Sequence, residues 1–244
     1  MRKIWAGYGF FIFLLLWLLL MPIIVLAFLC SPLIGQRPLI WFLHHFYTRL
    51  YFLLIFIRVK VRNRRVLNPN QSYIIVSNHV SPVDFMLNAM AFPRAYKYLA
   101  KKELTKIPIF GIIVKRLCVL VDRADAASRR KSIQYLQKTL KEGYSVFLYP
   151  EGTRNQSDEP LQSFQKGAFR LAIQTGTPIA VQTIVGIERI SGKGDFNLRP
   201  GKVDVVWSAP IETAGLTLTD VPQLEAAVRD AMLASLTLNL APAY

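Results

Sequence analysis

Hydrophobic residues are distributed unevenly along this chain, and the densest run lies near its amino terminus. Residues 10–29 are twenty consecutive positions without a charge. A helix rises about 1.5 Å per residue, so this run would be about 30 Å long, which matches the hydrocarbon thickness of a bilayer. The pattern therefore predicts a membrane-spanning helix, with Pro22 as a candidate kink.

A second apolar stretch, residues 39–57, is a poorer spanning segment because it contains His44, His45 and Arg49. Two arrangements are open: the stretch returns across the membrane as a hairpin, or it lies in the interface as an amphipathic helix. A cleaved signal peptide is disfavoured, because the first run is too long for one and no A-x-A site follows it. Residues 1–58 are therefore predicted to be a membrane anchor.

Positive charges flank this anchor on both sides. Arg2 and Lys3 precede it, and five basic residues follow it between positions 58 and 65. Because Lys and Arg accumulate on the cytoplasmic side of membrane segments, both ends are expected on that side. We expect the protein at the inner (cytoplasmic) membrane, with its remaining residues on the cytoplasmic face.

Residues 59–244 have a different pattern, in which short apolar runs alternate with stretches of helical periodicity. Strands are predicted at residues 73–77, 95–100, 117–121, 144–149, 179–187 and 203–207. Helices are predicted from about Pro82 and at residues 127–141, 164–175 and 222–236, with Ser163 as an N-cap and Gly143 and Gly176 as helix stops. This alternation predicts an α/β class: one domain with a central mixed sheet flanked by helices.

Composition narrows the possible partners. Thirty Lys and Arg against fifteen Asp and Glu give a formal charge of +15, which suits nucleic acid, acidic lipid or a phosphorylated substrate. Since 52% of residues are hydrophobic and no nucleic-acid-binding pattern is present, membrane lipids are the expected partner and nucleic acid is not. Two cysteines make no disulfide framework, which indicates a reducing compartment.

Two polar clusters follow two of the predicted strands. The first contains Asn78, His79 and Asp84, and the second, from Tyr149 to Arg154, follows the strand at residues 144–149. In α/β folds ligands gather at the carboxyl ends of strands, so the clusters are expected to form one site. His79 is a candidate general base, Asp84 the carboxylate that orients it, and Asn78 a supporting group.

Alternatives to these assignments remain open. Asp84 fits equally well as the acid that caps a helix beginning near Ser81 and Pro82. A covalent route through Ser77 or Ser81 is disfavoured because neither lies in a G-x-S-x-G turn. No metal site is expected, since His79 has no nearby Cys or His.

The second cluster offers a cation. Gly152 permits a tight turn, and the planar guanidinium of Arg154 matches a phosphate, although a surface salt bridge is the alternative. Glu151 is expected to anchor this loop through backbone amides. Two further basic clusters, around Lys101 and at Asp122–Arg123, fit either an anion site or an ordinary charged surface.

Taken together, these blocks resemble the motifs of the glycerophospholipid acyltransferase family, the 1-acyl-glycerol-3-phosphate acyltransferases. Residues 78–84 are similar to its first motif, 101–123 to its second and 149–154 to its third, while Thr177-Pro178-Ile179 resembles the start of its fourth. Two departures are visible. Tyr149 stands where the family usually has Phe, and no second proline follows Pro178.

The resemblance implies an enzyme that moves a fatty acyl group from a thioester, on CoA or acyl carrier protein, to the hydroxyl of 1-acyl-glycerol-3-phosphate, giving phosphatidic acid. No cofactor beyond this co-substrate is implied. The alternatives are another lysolipid acceptor, such as a lyso-aminolipid or lysophosphatidylglycerol, and a non-enzymatic protein that binds anionic membranes. The implied catalytic residues are His79 and Asp84, and the implied substrate-binding residues are Arg154, Glu151, Gly152, Thr153, Arg123 and Lys101.

Overall fold

The amino-terminal part of the protein is a layer of helices. A computed structural model describes residues 2–34, 37–107, 110–122, 125–192 and 197–238. Helix α1 (Arg2–Ile34) runs without interruption through Pro22, and α2 (Arg37–Phe42) continues through one π-helical turn into α3 (Thr48–Leu54). Among the described helices, one 25-residue stretch, Arg2–Leu26, is long and apolar enough to cross a membrane by length and composition.

A seven-stranded sheet with helices on both faces follows the helical layer. Its elements are β1 (Ile57–Arg62), β2 (Ile74–Ser77), α4 (Asp84–Ala91), β3 (Tyr96–Lys101), α5 (Phe110–Leu117), β4 (Cys118–Val121), α6 (Ala126–Lys141), β5 (Ser145–Leu148), α7 (Gly167–Thr175), β6 (Ile179–Val185), α8 (Ile187–Ile190), β7 (Gly201–Trp207) and α9 (Val221–Leu238). The strand order is β1-β7-β6-β2-β5-β3-β4. Strands β6, β2, β5, β3 and β4 are parallel, whereas β7 is antiparallel to β6 and parallel to β1. The predicted mixed α/β fold is confirmed.

Side chains that alternate along the central strands separate two cores. Ile75 of β2 packs with residues of α1, α3 and α4, whereas Ile74 and Val76 pack on the other face with residues of α6, α7 and α9. All four β2 residues are buried, as expected for a strand covered on both faces. The carboxyl ends of β2, β5, β3 and β4 therefore meet at one edge of the sheet, which we call the upper edge.

Several elements differ from the prediction: the helices α5 and α8 were not predicted, and α7 and β1 differ for reasons that the structure shows. Helix α7 begins at Gly167 with Lys166 as its N-cap residue, so the predicted start at residue 164 and the predicted Ser163 cap are wrong. The preceding residues instead pair with the loop after β5, where the Gln165 amide donates to the Pro150 carbonyl at 2.7 Å. Strand β1 was not predicted, and it begins at Ile57, one residue before the predicted end of the anchor.

Candidate active site

His79 and Asp84 meet in the loop between β2 and α4. Asp84 Oδ2 lies 3.0 Å from His79 Nδ1 and also accepts the amide hydrogens of Val80 and Ser81, each at 2.7 Å. Asp84 is fully buried, while the His79 side chain is 20% exposed. The same oxygen therefore orients the imidazole and holds the two amides that precede α4. It does not cap the helix as the sequence suggested, because α4 begins at Asp84 and its N-cap residue, Val83, has no side-chain cap hydrogen bond.

Tyr149, which sequence reasoning included in the second cluster without a role of its own, covers one face of this imidazole. The two ring centroids are 3.8 Å apart and nearly parallel, at 13°. Asn88, one helical turn beyond Asp84 on α4, donates its Nδ2 hydrogen to the Tyr149 hydroxyl at 2.8 Å. The imidazole is thus held at one edge by Asp84 and on one face by a tethered ring. No described residue bonds Nε2, which leaves that nitrogen for a substrate.

Glu151 joins the two polar loops, as expected. Its Oε1 accepts the His79 amide hydrogen at 2.8 Å, and its Oε2 accepts that of Gln162 at 3.0 Å. The Asn155 amide donates back to the His79 carbonyl at 2.6 Å. Glu151 is 4% exposed, and this burial raises the pKa of its carboxyl group. The contacts support a positioning function for Glu151.

Asn78 ties the same loop to β6. Its Nδ2 donates to the Ile184 carbonyl at 2.9 Å, and its Oδ1 accepts the Ile184 amide hydrogen at 2.8 Å. This reciprocal pair copies the hydrogen bonds of a neighbouring strand, so a buried side chain extends the sheet beyond the end of β2. The backbone around His79 is therefore fixed from both neighbouring strands.

Arg154 supplies the unpaired cation next to this loop. Gly152 adopts a positive φ of 75°, which a residue with a side chain rarely tolerates, and this turn brings Thr153 and Arg154 to the surface. No described carboxylate or carbonyl bonds the partly exposed guanidinium of Arg154. A cavity of about 620 Å³ opens beside the loop, and its lining includes Glu151, Gly152, Thr153 and Gln165.

One of the other predicted binding residues, at the end of β3, lies farther from the imidazole. Lys101 ends β3, two strands from β2, and its ammonium group is 3.4 Å from Glu103 at the surface. Arg123 lies outside the described residues. The Ser81 hydroxyl donates to that of Ser191 at 2.7 Å, so it is engaged away from His79. Within the described ranges, no group of three or more His, Cys, Asp or Glu could hold a metal ion.

The tether between Tyr149 and Asn88 has a measurable consequence. Tyr149→Phe keeps the stacked ring but removes the hydroxyl, so Asn88 Nδ2 loses its partner in the core. A hydrogen bond of this kind contributes about 0.5–1.5 kcal/mol, so we expect kcat to fall roughly 2- to 10-fold without a change in KM. Steady-state kinetics should show a larger loss for Tyr149→Leu and no change for Tyr135→Phe, whose ring is exposed on α6.

Glu151 gives a prediction for stability against pH. Because the folded-state pKa of Glu151 is raised, the folded protein retains a proton that the unfolded chain has already lost, so wild-type stability falls as pH rises through that window. The stability of Glu151→Gln lacks this dependence. In thermal melts, the advantage of the wild type over this variant should be largest in acid and should shrink towards neutral pH. An advantage that grows with pH would contradict the raised pKa.

Known proteins resemble this chain in both sequence and fold. A family model described as Acyltransferase matches residues 58–185, which contain every candidate site residue. The chain is 34% identical over 181 residues to 1-acyl-sn-glycerol-3-phosphate acyltransferase alpha of Homo sapiens, an alignment that covers 72% of this chain and 63% of that protein. It is 31% identical over 150 residues to 1-acyl-sn-glycerol-3-phosphate acyltransferase of Cocos nucifera, covering 59% of this chain and 47% of that one.

The fold is that of a solved member of the same group. The crystal structure of the 1-acyl-sn-glycerophosphate (LPA) acyltransferase PlsC from Thermotoga maritima matches with a TM-score of 0.79 at 24% identity, over 100% of both chains. The chain spans about 63% of the length of the human and mouse relatives. Because the family model covers more than half of its residues, the protein belongs to the acyltransferase family.

Proposed function

We propose that this protein transfers a fatty acyl group from a thioester to the free hydroxyl of 1-acyl-glycerol-3-phosphate, giving phosphatidic acid. The observation that carries the proposal is the His79–Asp84 pair, whose free Nε2 lies at the same edge as an unpaired Arg154. The relatives named for this activity support the acceptor. The donor is acyl-CoA or an acyl carrier protein, and no cofactor takes part.

The chain supplies a general base for this reaction. Since the Asp84 carboxylate accepts from Nδ1, the lone pair of His79 lies on Nε2, where it takes the proton of the acceptor hydroxyl as that oxygen attacks the thioester carbonyl. When the tetrahedral intermediate collapses, the C–S bond breaks and the same proton passes to the leaving sulfur. Such a base contributes about 10²- to 10⁴-fold. Asp84 stabilises the imidazolium that forms between the two steps.

In this proposal, the basic residues of the upper edge position the acceptor phosphate. Arg154 lies in the turn formed by Gly152 and Thr153, and Lys101 ends a strand at the same edge. With Arg123, these side chains would hold the phosphate so that the hydroxyl reaches His79. Orientation of two bound reactants is worth up to about 7–11 kcal/mol, which exceeds the contribution of the base.

The helical layer gives the membrane attachment. The inner side of α1 contributes Ala6, Ile12 and Leu16 to the core, while its outer side exposes large apolar residues. These are Ile4, Tyr8, Phe10, Phe11, Leu14, Leu18, Leu19, Ile23, Val25 and Leu26. An exposed apolar face of this kind is typical of membrane contact. We propose that it attaches the enzyme to the inner membrane, with the catalytic domain on the cytoplasmic face.

A lysolipid panel tests the acceptor. The purified protein is given labelled acyl-CoA or acyl carrier protein together with lysophosphatidic acid, lysophosphatidylglycerol or a lyso-aminolipid. We expect lysophosphatidic acid to be preferred. Equal or faster rates on another lysolipid favour that acceptor, and no transfer to any acceptor together with intact vesicle binding favours the non-enzymatic alternative.

Arg154→Gln tests the phosphate contact in the same assay. Loss of one charge-assisted hydrogen bond is expected to raise KM for lysophosphatidic acid roughly 10- to 100-fold, with a smaller effect on the donor. Arg154→Lys should recover part of the loss, because it keeps the charge but not the planar fork. Arg170→Gln, on the exposed side of α7, is the matched control and should leave KM unchanged.

A further inference from the structure

A second basic concavity lies at the lower edge of the sheet, opposite His79. It has a volume of about 430 Å³ and is lined by Lys97, Lys115, Cys118, Lys138 and Glu142, among others. Lys97 is the second residue of β3 and Cys118 the first of β4, so the concavity lies at the amino ends of these strands. We call it the Tyr144 cavity, after the ring that the ammonium group of its lining residue Lys97 contacts.

The charges of the Tyr144 cavity are not balanced by the described residues. Three ammonium groups face one carboxylate, and that carboxylate, Glu142, lies 4.0 Å from Lys138. Neither Lys97 nor Lys115 forms an ion pair within the described ranges. Like charges gathered in a concave surface repel each other and raise the local positive potential. An anion bound between them would remove this repulsion.

Tyr144 contacts two cations, one of which, Lys97, lines the cavity. The Arg37 guanidinium carbon and the Lys97 ammonium nitrogen each lie 4.8 Å from the centre of its ring. Arg37 is fixed further, since it donates to the Glu142 carbonyl at 2.6 Å. Contacts between cations and an aromatic ring favour these positions, so the two charges stay directed at the same space.

The same ring connects the cavity to the helical layer. Tyr144 packs against the cluster that contains Ile24 of α1, Ile40 of α2 and Leu117 of α5. On the outer side of α1, Leu26 is 61% exposed, and on the outer side of α2, Trp41 is 49% exposed. Trp is enriched where membrane meets water, because its ring suits both environments. A basic cavity therefore adjoins an apolar surface.

A phosphate group joined to hydrocarbon chains matches both parts of this surface. We infer that the Tyr144 cavity binds the headgroup of an anionic phospholipid, whose acyl chains lie against the exposed side of α1 and α2. A water-soluble phosphate compound fits the lysines but leaves the adjoining apolar surface uncovered. The inference rests on the proposed membrane attachment of α1.

This site would fix the orientation of the protein on the membrane. Helix α1 rises about 28 Å from Trp5, which donates to the Ile55 carbonyl at the upper edge, to Ile24, which packs near Tyr144 at the lower edge. An anchor at the lower edge keeps the whole length of α1 in the interface. The upper edge, with His79, then stays at the depth where lipid headgroups lie.

Vesicle flotation of the full-length protein tests the site. One vesicle type is phosphatidylcholine alone, and in the other a third of the lipid is phosphatidylglycerol. For Lys97→Gln/Lys115→Gln, the ratio of binding to anionic over phosphatidylcholine vesicles should be roughly 30-fold lower than for the wild type. Binding to phosphatidylcholine alone should be unchanged. Arg130→Gln/Arg170→Gln is the matched control, since it removes the same charge from exposed positions on α6 and α7. It should keep most of the preference.

Three outcomes would overturn the inference. Equal losses in the cavity variant and the control would mean a diffuse attraction of the basic surface to anionic lipid. If inorganic phosphate raises the melting temperature of the wild type but not of the cavity variant, and the vesicle preference is unchanged in both, the ligand is a soluble phosphate compound. If the wild type binds neither vesicle, membrane attachment and lipid site fail together, whereas the lysolipid assay in detergent decides the acyl transfer separately.

Discussion

Replacing His79 by alanine is expected to lower kcat by about 10²- to 10⁴-fold, because it removes the general base. Its Nε2 is the group at the upper edge that is both held in place and unbonded within the described ranges. The measurement is acyl transfer from a labelled thioester to lysophosphatidic acid under saturating substrate. Added imidazole should restore a small part of the rate in His79→Ala, because it supplies the missing base.

The variant should remain folded, which separates chemistry from stability. The backbone of His79, not its side chain, bonds Glu151 and Asn155, so these contacts survive the substitution. The apolar face of α1 is untouched, and vesicle binding should equal that of the wild type. Activity within 10-fold of the wild type in His79→Ala would rule out general-base catalysis by this residue. A labelled acyl-enzyme trapped with donor alone would point to a covalent mechanism instead.

Sequence patterns correctly predicted the elements that are determined by neighbouring residues in the chain. Alternation of apolar residues with turns gave the central strands, and Gly143 and Gly176 do end α6 and α7 in positive-φ conformations. Strand β1 was missed for a specific reason. Its basic residues alternate with Val59 and Val61, a strand pattern, but the charges were interpreted only as a signal of membrane orientation. The start of α7 was misplaced because a distant loop binds the residues before it.

The separation of two residues in the sequence also explains which contacts of the site could be predicted. His79 and Asp84 are five residues apart, so their pairing could be foreseen from one loop. Asn88 and Tyr149 are 61 residues apart, and the stacking of Tyr149 on His79 depends on how β2 and β5 align. The unusual Tyr149 was noticed in the sequence, but its partner appears only once the sheet has formed.

Asp84→Asn is the second change with a large expected effect, and the geometry predicts where the loss appears. One oxygen, Oδ2, accepts from Val80, Ser81 and His79, while the buried Oδ1 has no partner among the described residues. Asparagine placed with its oxygen at the Oδ2 position keeps these three acceptor contacts. It loses the negative charge that stabilises the imidazolium, so kcat should fall about 10³- to 10⁴-fold. Its Nδ2 group takes the buried Oδ1 position, where no described residue accepts its hydrogens, so the free energy of unfolding should also fall by about 1–3 kcal/mol.

Asp84→Ala removes the hydrogen bonds of the carboxylate as well as its charge. It leaves the amide groups of Val80 and Ser81 unpaired in the core, which should lower the free energy of unfolding by about 1–3 kcal/mol for each amide. Kinetics of the double variant His79→Ala/Asp84→Asn then give the coupling: because the carboxylate acts through the imidazole, the double variant should be no slower than His79→Ala alone. Near-normal kcat in Asp84→Asn would leave Asp84 only its structural bonds to Val80 and Ser81, and a further loss in the double variant would mean that it does not act through His79.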